Sequence, residues 1–205
     1  MDLQQWIADD HASVLTRFEN AIGVRVPVSR WKDHGRQEQG RQEQGTNDNG
    51  GTTPSIAWLL FHMTYHQDLA LNTGVRNHPP LLEQHRAGLG LAGFAPAAGL
   101  TESEDLAVTE ALDLGALRRY ADVVNASTQD WIDDISILAL DSIPTSSWRL
   151  EHKAGIPAEN DMSWLHAMWT DKPVSWLVQW ECIGHGHTHV GEMTGIRNRL
   201  GLSPF

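Results

Sequence analysis

Three histidines lie close together towards the end of the chain, in the segment His185-Gly-His187-Thr-His189. Neutral imidazole is the commonest side-chain ligand of transition metals. In a β-strand, all three side chains would share one face and could form a strand-borne zinc site. In a helix, His185 and His189 would lie one turn apart on the same face, and His187 would point away. Such a pair is a common way for a helix to supply two ligands to one metal.

The residues around these histidines favour the helix. Between Val174 and Leu200, apolar residues recur at helical spacing together with His185 and His189, and no part of the chain shows clear period-two alternation. Four glycines count against a helix, because each costs about 1 kcal/mol in a helix interior. Packing can offset that cost, because small residues allow a neighbouring helix to approach closely. We therefore predict a last helix over 173–200.

A third metal ligand is predicted from a helix over 54–74. His62 lies on the apolar face of this helix, in Trp58-Leu-Leu-Phe-His62-Met, and a buried neutral imidazole needs a partner for each ring nitrogen. A single histidine on an apolar face is more often a hydrogen-bonded core residue. Here, however, several histidines are predicted to point inward from three helices, which favours a metal site. They are His11, His62, His66, His185 and His189.

Other polar residues near this face have more than one possible role. His66, one turn after His62, is either a fourth ligand or, as we favour, a residue beside the ligands that acts as a catalytic proton acceptor. His11 is a second candidate proton acceptor, a pocket wall or an ordinary core residue. Glu181 and Glu192 either orient a ligand imidazole or are solvated charges. Cys182 is more simply a small buried apolar residue than a ligand.

The chain of 205 residues is predicted to be one all-α domain, 1–205, built as a four-helix bundle. The third helix has its clearest periodicity from Leu114 onward. The long connections 75–104 and 140–172 are expected to line a pocket with Trp148, Trp164 and Trp169. The predicted helices cover about 2–22, 54–74, 105–139 and 173–200, and a mobile loop is predicted for 35–51, where the sequence GRQEQ occurs twice.

The composition limits the partners. A formal net charge of −11 disfavours nucleic acid and an anionic membrane surface, and no apolar run has the length of a membrane span. Cys182 is the only cysteine, so an intrachain disulfide is impossible, which fits a reducing compartment. The start of the chain has no basic region typical of a signal peptide. We predict a cytoplasmic protein that acts on a small molecule.

Two short motifs resemble those of the DinB-like, or YfiT-like, metal-dependent four-helix-bundle proteins, a superfamily that includes thiol-dependent S-transferases. One is Trp58-Leu-Leu-Phe-His62-Met in the second helix. The other is His185-Gly-His-Thr-His189-Val-Gly191-Glu192, which runs on to Arg197-Asn-Arg199-Leu-Gly201. The resemblance implies a metal held by His62, His185 and His189. The metal in such proteins is a divalent ion, often zinc or nickel, and characterised relatives use thiols such as mycothiol or bacillithiol.

These observations lead to three functional hypotheses. The first is a metal-dependent transfer of a low-molecular-weight thiol to an electrophilic small molecule, with His66 or His11 removing the thiol proton. The second is metal-assisted hydrolysis with Glu181 or Glu192 as the base. The third is a non-catalytic metal- or ligand-binding stress protein. Helix bundles of this size often form homodimers, although no residue pattern indicates an interface. Three arginines could bind a carboxylate on a thiol cofactor, but we favour their interpretation as ordinary surface charges: Arg30, Arg197 and Arg199.

Overall fold

Most of the described residues are helical, and none of them forms a β-strand. The computed structural model describes residues 2–33, 54–102 and 105–203, so the predicted mobile loop 35–51 lies outside the described residues. The all-α class predicted from the sequence is confirmed. In chain order the α-helices are α1 (Leu3–Phe18), α2 (Ile56–Asp68), α3 (Leu82–His85), α4 (Asp105–Ala111), α5 (Leu114–Asp134), α6 (Ser146–Ala154), α7 (Ser163–Trp169), α8 (Val174–Leu177) and α9 (His185–Arg199).

Helix α2 lies at the centre of the protein. Every residue from Ile56 to Asp68 is buried, including polar residues such as His62, His66 and Asp68. The helix begins after Ser55, whose hydroxyl accepts a hydrogen bond from the backbone N–H of Trp58 at 3.1 Å. Helices α5 and α9 both pack against α2, and both also pack against α1. Any polar side chain of α2 is therefore enclosed by neighbouring helices.

Three predicted helices differ in detail from the sequence pattern. The segment 105–139 divides into α4 and α5, because Asp113 has an extended backbone and its side chain caps α5 by accepting from Ala116 N–H. The helix ends at Asp134, and a 3₁₀ turn over Ile137–Asp141 follows. Helices α1 and α2 continue as π-helical turns, over Glu19–Gly23 and Leu69–Val75 respectively.

The two long connections of the predicted bundle contain helices. Within 75–104, the short helix α3 is held in place by Asp68, whose carboxylate accepts from the backbone N–H groups of Leu81 and Leu82, each at 2.9 Å. Within 140–172, α6 and α7 form, and α6 packs against the π-helical turn after α2. Helices of seven to nine residues span about two turns, which is too few for hydrophobic periodicity to identify them.

The last predicted helix, 173–200, is continuous from Val174 to Arg199, with a π-helical stretch over Val178–Gly184 between α8 and α9. Gly186 allows the close helix approach expected for its segment. A Cβ atom built on Gly186 would lie 2.7 Å from Cγ1 of Val14 on α1. None of the helices in the described ranges is both long and apolar enough to cross a membrane.

Candidate metal centre

The three histidines predicted as metal ligands lie together in the structure. One ring nitrogen of each of His62, His185 and His189 lies within 4.8 Å of the others, an arrangement that could hold a metal ion. Helix α2 supplies His62, and α9 supplies the other two from positions one turn apart. The packing of α9 on α2 therefore forms the cluster.

His62 is held from two sides. Its Nδ1–H donates to the backbone carbonyl of Gly99 at 2.8 Å, so Nε2 keeps its lone pair. The buried Trp58 indole stacks on the imidazole with ring centroids 4.5 Å apart. Burial, with a further contribution from the neighbouring His66, lowers the pKa of His62 to about 2. The ring is therefore neutral at physiological pH and able to bind a cation.

Gly99 has a conformation and a packing that require glycine. Its φ of 86° lies in the left-handed region, and a Cβ atom built on it would lie 2.3 Å from Cε1 of Phe61, which is buried on α2. The carbonyl that orients His62 thus depends on a glycine in the connection between α3 and α4.

The two histidines of α9 point their Nε2 atoms at each other across 2.8 Å. The Nδ1–H of His189 donates to the Glu192 carboxylate at 2.7 Å, which leaves the Nε2 lone pair of His189 free. Burial and the three neighbouring imidazoles lower the pKa of His185, so this ring is also neutral. A proton shared in a hydrogen bond links only two of the three ring nitrogens, whereas a divalent cation can accept a lone pair from each of His62, His185 and His189. The donor set therefore fits a metal.

A second group of potential ligands overlaps the first at His185. Glu181, His66 and His185 have one ligand atom each within 4.8 Å of one another and could also hold a metal ion. The fully buried Glu181 carboxylate accepts from Nδ1–H of His66 at 3.0 Å and from Trp169 Nε1–H at 2.6 Å. Nδ1 of His185 lies 3.9 Å from the same carboxylate. Nε2 of His66 is buried and has no hydrogen-bond partner among the described residues.

The remaining histidine and cysteine candidates lie elsewhere. His187 points away from the cluster, as the helical interpretation requires, and contacts Ser13 and Arg17 of α1. His11 is buried, but its ring is hydrogen-bonded to Gln67 and is absent from the ring contacts that join His62, His66, His185 and His189. Burial raises the pKa of the Cys182 thiol, which disfavours the thiolate that a metal would bind.

Tryptophans surround the histidine cluster, but not in the way the sequence indicates. Trp164 lies near His66, with ring centroids 6.1 Å apart, and is 42% exposed. Trp180, which sequence reasoning missed, lies 6.4 Å from His185 and is 43% exposed. Trp169 is fully buried and binds Glu181. Trp148 is half exposed and stacks on His152.

The three candidate arginines have different environments. Arg30 forms an ion pair with Asp33. Arg197 is buried, and its guanidinium donates to the Ala21 carbonyl and the Asn198 side chain. Arg199 lines a cavity of about 230 Å³ together with Glu192, the carboxylate bound to His189. Of the three, Arg199 is therefore the one that lies beside a residue in contact with the cluster.

The chain matches no model of a known protein family, no curated protein and no solved structure. Its chemistry is therefore argued from its own side chains. They define an all-helical protein with a buried histidine cluster that could bind a metal ion.

Proposed function

We propose that the protein is a DinB-like four-helix-bundle protein that binds one divalent ion, zinc or nickel, through His62, His185 and His189. The helices α1, α2, α5 and α9 would form the bundle. The observation that carries the proposal is the convergence of three imidazoles from two helices, with one ring nitrogen of each within 4.8 Å of the others. Borderline-soft cations such as zinc and nickel favour imidazole nitrogen, and a three-ligand site leaves a coordination position for a small molecule.

The activity proposed for this site is transfer of a low-molecular-weight thiol, such as mycothiol or bacillithiol, to an electrophilic small molecule. A bound divalent ion would favour the thiolate form of such a thiol. His66 has the environment of a proton acceptor: its Nδ1–H is held by Glu181, so Nε2 carries a lone pair. The Glu181 carboxylate would stabilise the imidazolium formed when His66 takes the thiol proton.

Two exposed tryptophans support binding of an apolar electrophile beside this thiol. Trp164 and Trp180 lie next to His66 and His185 and present about two-fifths of their surface to solvent. Aromatic rings in this position offer a large apolar contact area to a small organic molecule. A cytoplasmic location belongs to the same proposal, because the single cysteine is buried and unpaired and cytoplasmic thiols are kept reduced.

The test is mass spectrometry of the products formed from a thiol and an electrophile by zinc- or nickel-loaded protein. Cysteine, mycothiol and bacillithiol would each be incubated with chlorodinitrobenzene. We expect conjugate above the protein-free rate for the wild type and for the control His78→Ala, which replaces an exposed histidine. His62→Ala should fall to the protein-free rate. Conjugate formed equally well by His62→Ala would contradict the proposal.

The Glu181→Gln variant separates the two possible metal positions. With the metal at His62, His185 and His189, this variant should keep its metal and lose conjugation, because His66 loses its carboxylate partner. Loss of the metal itself would place the ion in the group formed by His66, Glu181 and His185.

Hydrolysis is the second candidate activity, and a non-catalytic binding role is the third. Glu181 is buried between His66 and Trp169, which leaves it poorly placed to activate water, whereas Glu192 is half exposed and bound to His189. Release of nitrophenol from a nitrophenyl ester without added thiol, abolished in Glu192→Gln, would favour the hydrolase. Metal binding without either activity would favour the binding protein.

A further inference from the structure

A cavity of about 420 Å³ lies between α1, α2 and α5, apart from the histidine cluster. None of His62, His66, Glu181, His185 or His189 lines it. Its volume lies in the range of small-molecule sites in proteins. The walls are mostly apolar and include Leu15, Phe18, Leu60, Met63 and Ala121.

The imidazole of His11, which is 1% exposed, is one of the polar side chains that line this cavity. Its Nε2 lies 3.0 Å from Nε2 of Gln67. The Thr128 hydroxyl donates to the Val124 carbonyl, so its oxygen must accept from the Gln67 side chain, 2.7 Å away. This identifies the Gln67 atom as the amide nitrogen, whose two hydrogens face the Thr128 oxygen, Oδ1 of Asn125 at 3.2 Å and Nε2 of His11. Because an amide nitrogen cannot accept a hydrogen bond, Nε2 of His11 carries no proton. Burial lowers the pKa of His11, so the single proton of the neutral ring is on Nδ1.

Nδ1 of His11 is therefore a buried donor, and it has no hydrogen-bond partner among the described residues. Gln129, which also lines the cavity, interacts with the His11 ring and offsets part of the effect of burial on its pKa. A buried donor without a partner is energetically costly. A ligand that brings an acceptor oxygen to Nδ1–H would remove this cost.

The charged side chains at the cavity disfavour binding of an anionic ligand. Arg118 is paired with Glu19 at 3.0 Å, and Asp122 adds a second carboxylate, so the three charged groups carry one more negative than positive charge. A carboxylate or phosphate ligand would meet net repulsion there. An acceptor oxygen on a neutral molecule would not.

We propose that this cavity binds a neutral, largely apolar carbonyl compound whose oxygen accepts a hydrogen bond from Nδ1–H of His11. The apolar body of the ligand packs against Phe18, Leu60 and Met63. The site is independent of the proposed metal chemistry, because the two sets of residues do not overlap.

The test compares two probes of nearly equal shape, 2-acetylnaphthalene and 2-isopropenylnaphthalene, which differ in the presence of a carbonyl oxygen. Binding would be measured by fluorescence titration and by the shift of the Met63 methyl signal in NMR spectra. We expect the wild type to bind the ketone about tenfold or more tightly than the hydrocarbon, because only the ketone partners Nδ1–H. Equal affinities for the two probes, or no Met63 shift, would overturn the proposal.

Two variants locate the effect, and a third separates it from the metal site. His11→Phe removes the donor and should abolish the preference for the ketone. Ala121→Phe should fill the cavity and abolish binding of both probes. His185→Ala, which removes a residue shared by both potential metal groups, should bind the ketone as the wild type does. A ketone preference that survives in His11→Phe would contradict the proposed hydrogen bond, even if the metal site is correctly assigned.

Discussion

Replacing Gly99 by alanine should weaken both the fold and the metal centre. The left-handed φ of 86° costs a residue with a Cβ atom about 1–2 kcal/mol. The new Cβ would also lie 2.3 Å from Cε1 of the buried Phe61, and such overpacking costs typically about 1–3 kcal/mol. Together these effects predict a loss of about 2–5 kcal/mol in the free energy of unfolding.

The same substitution should reduce metal affinity, because the Gly99 carbonyl accepts the Nδ1–H of His62. Loss of a hydrogen bond that orients a metal-binding histidine typically lowers affinity about 10–100-fold. Stability would be measured by urea unfolding of metal-free protein, and zinc affinity by competition with a chelating dye at a temperature where the variant is folded. Gly93→Ala is the matched control, because a Cβ atom there meets nothing within 4 Å.

The control should unfold within about 0.5 kcal/mol of the wild type and bind zinc equally well. If Gly99→Ala behaved like Gly93→Ala in both assays, the proposed role of the carbonyl in orienting His62 would be refuted. A destabilised variant with unchanged zinc affinity would refute the metal part of the prediction alone.

Three further predictions concern the pH dependence of stability, the buried carboxylate of Asp68 and the Glu192 carboxylate that contacts His189. Metal-free protein should lose stability as the pH falls below about 6.5, because His62 binds a proton in the unfolded state but, with its pKa lowered to about 2, not in the folded state. Between pH 7 and pH 5 this histidine alone should reduce the free energy of unfolding by about 2 kcal/mol, which urea unfolding can measure. In His62→Ala the free energy of unfolding should depend less steeply on pH. Tyr120→Phe should lower the free energy of unfolding by about 1–2 kcal/mol, because it removes one of the hydrogen bonds to the buried Asp68; an unchanged unfolding midpoint would contradict this. Glu192→Gln should weaken zinc binding about tenfold or more, with an unchanged number of zinc ions per chain, because His189 loses the carboxylate that orients it. If the variant and the wild type showed equal zinc affinity in dye competition, Glu192 would have no role in orienting His189.

The parts of the site that helical periodicity defines could be predicted from the sequence. The spacing of His185 and His189 places both on one face of a helix, and the apolar surroundings of His62 place that residue inside the protein. The same pattern predicts that His187 points away. The structure brings the three predicted ligands within reach of one another, as the sequence indicates.

The parts that depend on packing between distant segments could not be predicted. The Gly99 carbonyl reaches His62 from a connection without periodicity, and only the folded structure shows that the glycine has a positive φ. The place of Trp180 depends on a π-helical stretch, whose wider turns change which side chains share a face. The stacking of Trp148 on His152 is a second contact that hydrophobic periodicity does not indicate.

The most direct test is the metal content of purified protein loaded with zinc or nickel and measured by elemental analysis beside two variants. His185 belongs to both potential ligand groups, whereas His78 is exposed and belongs to neither. The wild type and His78→Ala should each retain about one metal ion per chain after gel filtration, and His185→Ala should retain none. Equal metal content in His185→Ala and the wild type, or no bound metal in the wild type, would contradict a histidine-bound metal centre.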